Sequence, residues 1–239
     1  MIFNSFLQSF FKHLEELRSR LIKSAGAFVL AFCLCYSFIG KLIPYLIAPA
    51  GHLIFTSPGE AFSAYMTLGS IMALVAASPY IFYQIWAFVG GALKPSEKKF
   101  VLIFAPLSLL FFLSGGAFAY FVAVPRAYHF LMSFSSDYLV PMVTVKNYFG
   151  FLWHMIVAFG VAFELPLILA FLAKIGIASP EYLRQMRRHA IIIILIVAAL
   201  LAPPDIMSMM ILAIPLMILY EVGIFFTGFF YKPAGRAET

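Results

Sequence analysis

Glu164 is the first residue at which to look for chemistry, because it stands alone among apolar residues in a run from Tyr148 to Ala173. An acid at hydrocarbon depth is costly and as a rule faces a protein interior or a wet cavity. Pro166, two residues on, has no N–H to give to the carbonyl of Ala162, so the helix should kink beside the acid and leave backbone acceptors open to a polar partner. The plainer alternative is a buried Glu paired with a neighbouring helix for packing alone. Glu221 is a second acid inside an apolar stretch, and the two together could line a polar cavity or carry protons. Other chemistry finds no support. There is no GxxxxGK[ST] for nucleotide phosphates, no HExxH and no GxSxG. The five histidines, His13, His52, His129, His154 and His189, are scattered without metal-ligand spacing. No enzyme activity, metal or cofactor is expected. Cys33 and Cys35 lie two apart on what should be one helix and point away from each other, so they neither pair nor bind metal.

The elements that position these acids are membrane helices. With 64% hydrophobic residues, 11% charged and 28 Phe, the chain departs from soluble domains, where about 25% of residues are charged. Its 239 residues hold several spans of about 20 residues with short loops and leave no room for a separate soluble domain. The net charge of +6 is explained by basic loops that fix orientation, so no nucleic-acid partner is expected. The start, Met1 to Phe11, has neither the basic n-region nor the cleavage site of a removable signal peptide.

Phe3, Leu7, Phe10, Leu14, Leu17 and Leu21 form one stripe, which predicts an amphipathic surface helix over 3–21. It should run into a first span over 22–42, with Pro44 and Pro49 breaking the chain beyond its end. Ser57 as N-cap, Pro58 at the first helical position and Glu60 closing a capping box start the next helix. That second span, about 65–90, lies in an uncharged stretch from Ala61 to Leu93, longer than one crossing needs, and carries Pro79. The third span is expected at 100–124, with Pro125 and Arg126 opening an outer loop, and the fourth at 148–173, stopped by Gly176. Ser179 should cap a short helix after it. The apolar run from Ala190 to Ala202 would rise only about 20 Å against roughly 30 Å of hydrocarbon. A fifth span at 190–203 and a sixth at 206–226, joined at Pro203-Pro204-Asp205, therefore make a short hairpin that should thin the membrane. With the N-terminus inside, thirteen Lys and Arg fall on the cytoplasmic side and three, Lys41, Arg126 and Lys146, outside. Both termini are then cytoplasmic, and the expected fold class is an all-α, six-span membrane protein forming one domain.

Four stretches carry a resemblance. His13-Leu14-Glu15-Glu16-Leu17-Arg18-Ser19-Arg20-Leu21, the run from Ser78 to Phe88, the run from Ala158 to Pro166, and Pro203-Pro204-Asp205 followed by Ala213-Ile214-Pro215 and Glu221 resemble the signatures of the TatC family. This is the multispanning receptor subunit of the twin-arginine protein translocase, and the likeness runs from Phe11 to Phe230 in order. It implies a concave bundle in the bacterial inner membrane that recognises Arg-Arg signal peptides of folded cargo, works with single-span TatA or TatB type subunits as part of a receptor complex of several copies amid membrane lipid, and draws on the protonmotive force.

The resemblance puts the family's signal-binding acids on Glu16 and Glu97. Carboxylates suit that task, since a guanidinium offers a planar fork that a carboxylate takes bidentately and two acids can take two successive arginines. Each acid has a local alternative. Glu16 can pair with Lys12 or Arg20 on its own helix, and Glu97 can complement a helix N-terminus. Phe88 joins the signal site by the same resemblance, Glu164 and Glu221 an intramembrane cavity, and Pro49 and Asp205 structural or functional loops. There are departures: Thr67 replaces a usual Lys, Gly91 stands for a usual Pro and should loosen the first cytoplasmic loop, and Ala202 and Met209 replace polar residues that face the partner helix, leaving Ser208 as a polar contact. A small proton-coupled solute transporter using Glu164 and Glu221 is the alternative function from another class, and a membrane scaffold a third. Internal repeats would favour the transporter, and the two halves show no convincing pairing.

Overall fold

The computed structural model describes residues 2–48, 53–93, 98–136, 138, 142–201 and 206–231. Helices account for nearly all of them, and among the described residues there is no strand, though isolated bridge positions occur, including a parallel bridge between Ile54 and Thr144. Among the described residues five segments are long and apolar enough to cross a membrane: 13–36, 58–91, 101–132, 145–174 and 209–229. The chain forms two compact units. One comprises 1–43 and 65–110, the other 44–64 and 111–239.

In the first unit, α1 (Ile2–Tyr36) is uninterrupted, so the amphipathic segment and the first crossing are one helix. It ends at a turn in which the Phe38 N–H bonds the Cys35 carbonyl, and α2 (Ile39–Ile47) then runs through Pro44. The break falls before the proline, not at it. Helix α3 (Pro58–Ala92) contains Pro79 without ending there. Pro79 has no N–H for the Val75 carbonyl four residues back, and the buried Ser78 hydroxyl donates to that carbonyl instead, at 2.7 Å. Trp86 of α3 donates to Ser108 of α4 (Lys98–Phe118) at 2.8 Å and packs beside Phe104. These groups tie the second and third crossings together.

In the second unit the third crossing does not stop at Pro125. A π turn at Ala119–Ala123 follows α4, with the Val124 N–H bonded to the Ala119 carbonyl, and α5 (Val124–Met132) continues the rod. The wide turn makes room for a proline near the start of the next segment, so the outer loop begins after Met132. Within this turn Tyr120 donates to the Tyr45 carbonyl, and Tyr148 of α6 (Val145–Phe163) donates to the Leu46 carbonyl at 3.0 Å. Two carbonyls in the last turn of α2 are thus capped by tyrosines, that of Tyr45 also accepting from the Ala48 N–H at 3.3 Å. Glu60 accepts from both the N–H and the hydroxyl of Thr56, one residue before the position expected of a capping box. Ile54 pairs with Val143 and Val145, joining the two outer loops.

The fourth crossing is broken where Pro166 predicts it. Helix α6 ends at Phe163, α7 (Leu165–Lys174) begins at Leu165, and Glu164 is the junction. Gly176, at φ +79°, closes α7, with the Ile177 N–H on the Leu172 carbonyl and the Gly176 N–H on that of Ala173. Ser179 caps α8 (Pro180–Gln185) through the Tyr182 N–H at 3.1 Å. Helix α9 (Arg187–Leu201) has 15 residues, about 22 Å of rise, whereas α10 (Ile206–Phe230) has 25. The shortness of the last pair resides in α9. Two glycines set the spacing of α4 and α6: a Cβ at Gly115 would strike the Phe159 carbonyl, and one at Gly160 would lie 2.6 Å from the Phe112 ring. Gly223 does the same for α10 against α7, where Leu169 and Pro166 approach.

Candidate functional site

Glu16 sits on α1 with Arg20 one turn further along, so the two side chains share a face. Arg20 donates to the same carboxylate oxygen, Oε1, through Nε at 3.0 Å and Nη2 at 2.7 Å. Its remaining amine, Nη1, donates to Oε1 of Gln84 on α3 at 3.0 Å. Gln84 is buried, so a polar amide in the middle of an apolar helix is accounted for by this one guanidinium. His13, a turn before Glu16, stacks on Phe88 with ring centroids 4.3 Å apart, and its Nδ1 lies 3.9 Å from Glu16 Oε2. Gly91 completes the arrangement. A Cβ there would come within 3.4 Å of Glu16 Oε2, so the carboxylate rests against the bare backbone at the end of α3. A shallow recess of about 280 Å³, lined by Glu15, Glu16, Ser19, Arg20 and Lys23, opens beside it.

Two of the expected signal-site residues, Glu16 and Phe88, are therefore brought into one cluster through His13. Glu97 lies outside the described residues, as do Pro49, Ala202 and Asp205. Ser208 and Met209 lie in the first turn of α10. The cluster also contains Arg20, Gln84, His13 and Gly91, which sequence reasoning did not assign to it. Gln84 did leave a signal, being an amide within an uncharged, largely apolar span.

The intramembrane acids differ from each other. Glu164 is buried at the α6–α7 junction, 8% exposed, where its N–H bonds the Val161 carbonyl and its own carbonyl accepts from Ile168. Phe159 and Phe163 of the preceding turn pack on Phe118. Glu221 is half exposed on α10 and accepts from Arg187 of α9 at 2.8 Å. Among the described residues no cluster of three His, Cys, Asp or Glu is arranged to hold a metal.

Comparison with known proteins gives a consistent result. A family model described as Sec-independent protein translocase protein (TatC) matches residues 12–215. The Sec-independent protein translocase protein TatC of Desulforapulum autotrophicum is 41% identical over 222 residues, covering 90% of this chain and 82% of its own. TatCd of Bacillus subtilis is 37% identical, covering 95% of this chain and 94% of its own. A crystal structure described as the twin-arginine translocase receptor TatC superposes with a TM-score of 0.82 at 36% identity, covering 91% of this chain and 98% of that one.

Proposed function

Since the chain belongs to the TatC family, and is thus a multi-pass, six-helix component of the Sec-independent translocase in the bacterial cytoplasmic membrane, we propose that it is the subunit that binds the paired arginines of export signal peptides. The observation that carries this reading is the Glu16 carboxylate, which already accepts two bonds from one guanidinium, that of Arg20. Both bonds fall on Oε1, so a signal arginine would compete with Arg20 for this carboxylate, which is held in place to accept a guanidinium. Glu97 is the second acid of the proposed site and Phe88 its apolar wall. The solved relative is described as a twin-arginine translocase receptor, which supports the same assignment.

Glu164 is proposed to keep a polar patch in an otherwise apolar cavity, where part of a signal peptide or partner helix can find a hydrogen bond. Pro49 and Asp205 are assigned to the outer loops, and Ala202, Ser208 and Met209 to contact with a single-span TatA or TatB type subunit. The chain has no nucleotide-binding motif, so the protonmotive force is the energy source we assign to transport. Proton-coupled transport through Glu164 and Glu221 is disfavoured by the pairing of Glu221 with Arg187, which gives that acid a structural task. The test is a pull-down of the detergent-solubilised protein on a twin-Arg signal peptide against its Lys-Lys version. Retention on the first alone is expected, and equal retention on both refutes the reading.

A further inference from the structure

The Glu16 carboxylate is engaged on both sides before any signal peptide arrives. Arg20 gives two bonds to Oε1, at 3.0 and 2.7 Å, in a partly buried pair. On the other side the His13 ring stands 3.9 Å from Oε2, and a Cβ on Gly91 would come within 3.4 Å of the same oxygen. A bidentate guanidinium uses both carboxylate oxygens. An arginine brought by a peptide therefore takes its fork on Glu16 only as Arg20 gives way on Oε1.

Arg20 has somewhere to go. Its Nη1 donates at 3.0 Å to Oε1 of Gln84, which is buried one turn before Phe88 on α3, in the same compact unit as α1. That bond does not involve Glu16, so it persists when Nε and Nη2 leave the acid. A guanidinium kept on Gln84 stays within reach of Glu16 and returns when the site empties. The residue type matters here, because a lysine at this spacing would pair with Glu16 but its single nitrogen would not reach both the acid and Gln84. The recess of about 280 Å³ beside the pair, lined by Ser19 and Lys23 as well as by Glu16 and Arg20, leaves an approach to the carboxylate.

We infer that Arg20 is an internal placeholder for a signal arginine: it occupies Glu16 in the empty receptor, is displaced onto Gln84 when a twin-Arg peptide binds, and so sets the affinity of the site. The inference rests on the proposed binding of signal arginines by Glu16 and supplies its regulation. A competitor of this kind lowers the apparent affinity for every incoming cation by the same factor, the fraction of the receptor in which Glu16 is open. A lone Arg or Lys of an unrelated basic segment, which gains only Glu16, is thereby held off. Two adjacent arginines that take Glu16 and Glu97 together bind in spite of it.

The experiment titrates fluorescent twin-Arg and Lys-Lys signal peptides onto the detergent-solubilised protein and its Arg20→Gln variant, with a thermal melt of each. Removing the competitor should tighten both peptides by one factor, about 2- to 5-fold for a partly exposed pair, and leave the preference for twin-Arg as it was. In a Glu16→Gln background the same substitution should tighten neither, because the competition acts only through that carboxylate. A gain that persists there would be simple repulsion between Arg20 and the peptide, and would overturn the proposal. Unchanged or weaker twin-Arg binding in Arg20→Gln overturns it too, since Arg20 would then brace Glu16 and not contend with the peptide. If the glutamine variant melts early, Arg20→Lys, which loses the fork but keeps the charge, takes its place, with a smaller gain expected and no gain refuting. A parent that holds both peptides equally refutes the signal-binding reading itself, whereas the shifts within each peptide test the placeholder alone.

Discussion

Replacing Glu16 by Gln removes one charge while keeping the side chain's length and one carbonyl oxygen, and its consequences for stability and for binding should separate. Within the protein the carboxylate serves Arg20, in an i,i+4 pair whose members are 35% and 24% exposed. Pairs of this type contribute about 0.3–0.5 kcal/mol. Arg20 also keeps its bond to Gln84, so the cluster has a second anchor and the variant should insert and unfold like the parent. Binding is different, because a charge-assisted bond to an incoming guanidinium is worth about 1.5–3 kcal/mol. At about 1.4 kcal/mol per tenfold, affinity for a twin-Arg peptide should fall by roughly 10- to 150-fold. The assay is titration of a fluorescent signal peptide onto protein in detergent, beside a thermal melt of the same preparation. Affinity within twofold of the parent, with an unchanged melt, would refute the idea that Glu16 takes a signal arginine. Loss of both affinity and melting temperature would show instead that the pair with Arg20 holds the fold.

Glu164→Gln keeps shape and hydrogen bonding in the buried junction and should retain much of the export of an Arg-Arg reporter, whereas Glu164→Leu should lose it and Glu164→Lys lose it completely; equal loss in Gln and Leu variants that still bind signal peptide would favour proton coupling. Gly115→Ala should destabilise the protein by about 1–3 kcal/mol, because the added methyl meets the backbone carbonyl of Phe159, which cannot turn aside. At Gly116 the nearest atom to an added Cβ is 3.7 Å away, so Gly116→Ala in the same melt should change little, and equal effects would discount the packing argument. A cysteine at Ser136 should react with an impermeant thiol reagent added outside intact cells, and one at Ser179 only after the membrane is opened; the reverse pattern would overturn the orientation drawn from the basic residues.

Sequence by itself determined what depends on neighbours along the chain. Apolar runs fix the helices because their backbone groups must be satisfied internally in hydrocarbon. The break at Glu164 follows from a proline two residues away, the stop at Gly176 from a left-handed turn, and the cap at Ser179 from a hydroxyl three residues before an N–H. Charge counting likewise needs only the order of the loops. Tertiary structure alone decided whatever joins distant residues. Arg20 finds Gln84 across 64 positions, Tyr148 finds the Leu46 carbonyl across 102, and Arg187 finds Glu221 across 34. No local pattern encodes these pairs, because a guanidinium or hydroxyl accepts many partners and packing selects one. Pro125 and Gly91 show the same limit from the other side. A proline usually ends a helix, but a π turn before it lets the third crossing run on to Met132. Gly91 alone suggests only a loose end to the helix, whereas in the fold its bare backbone lies beside the Glu16 carboxylate, with Oε2 3.4 Å from where a Cβ would stand.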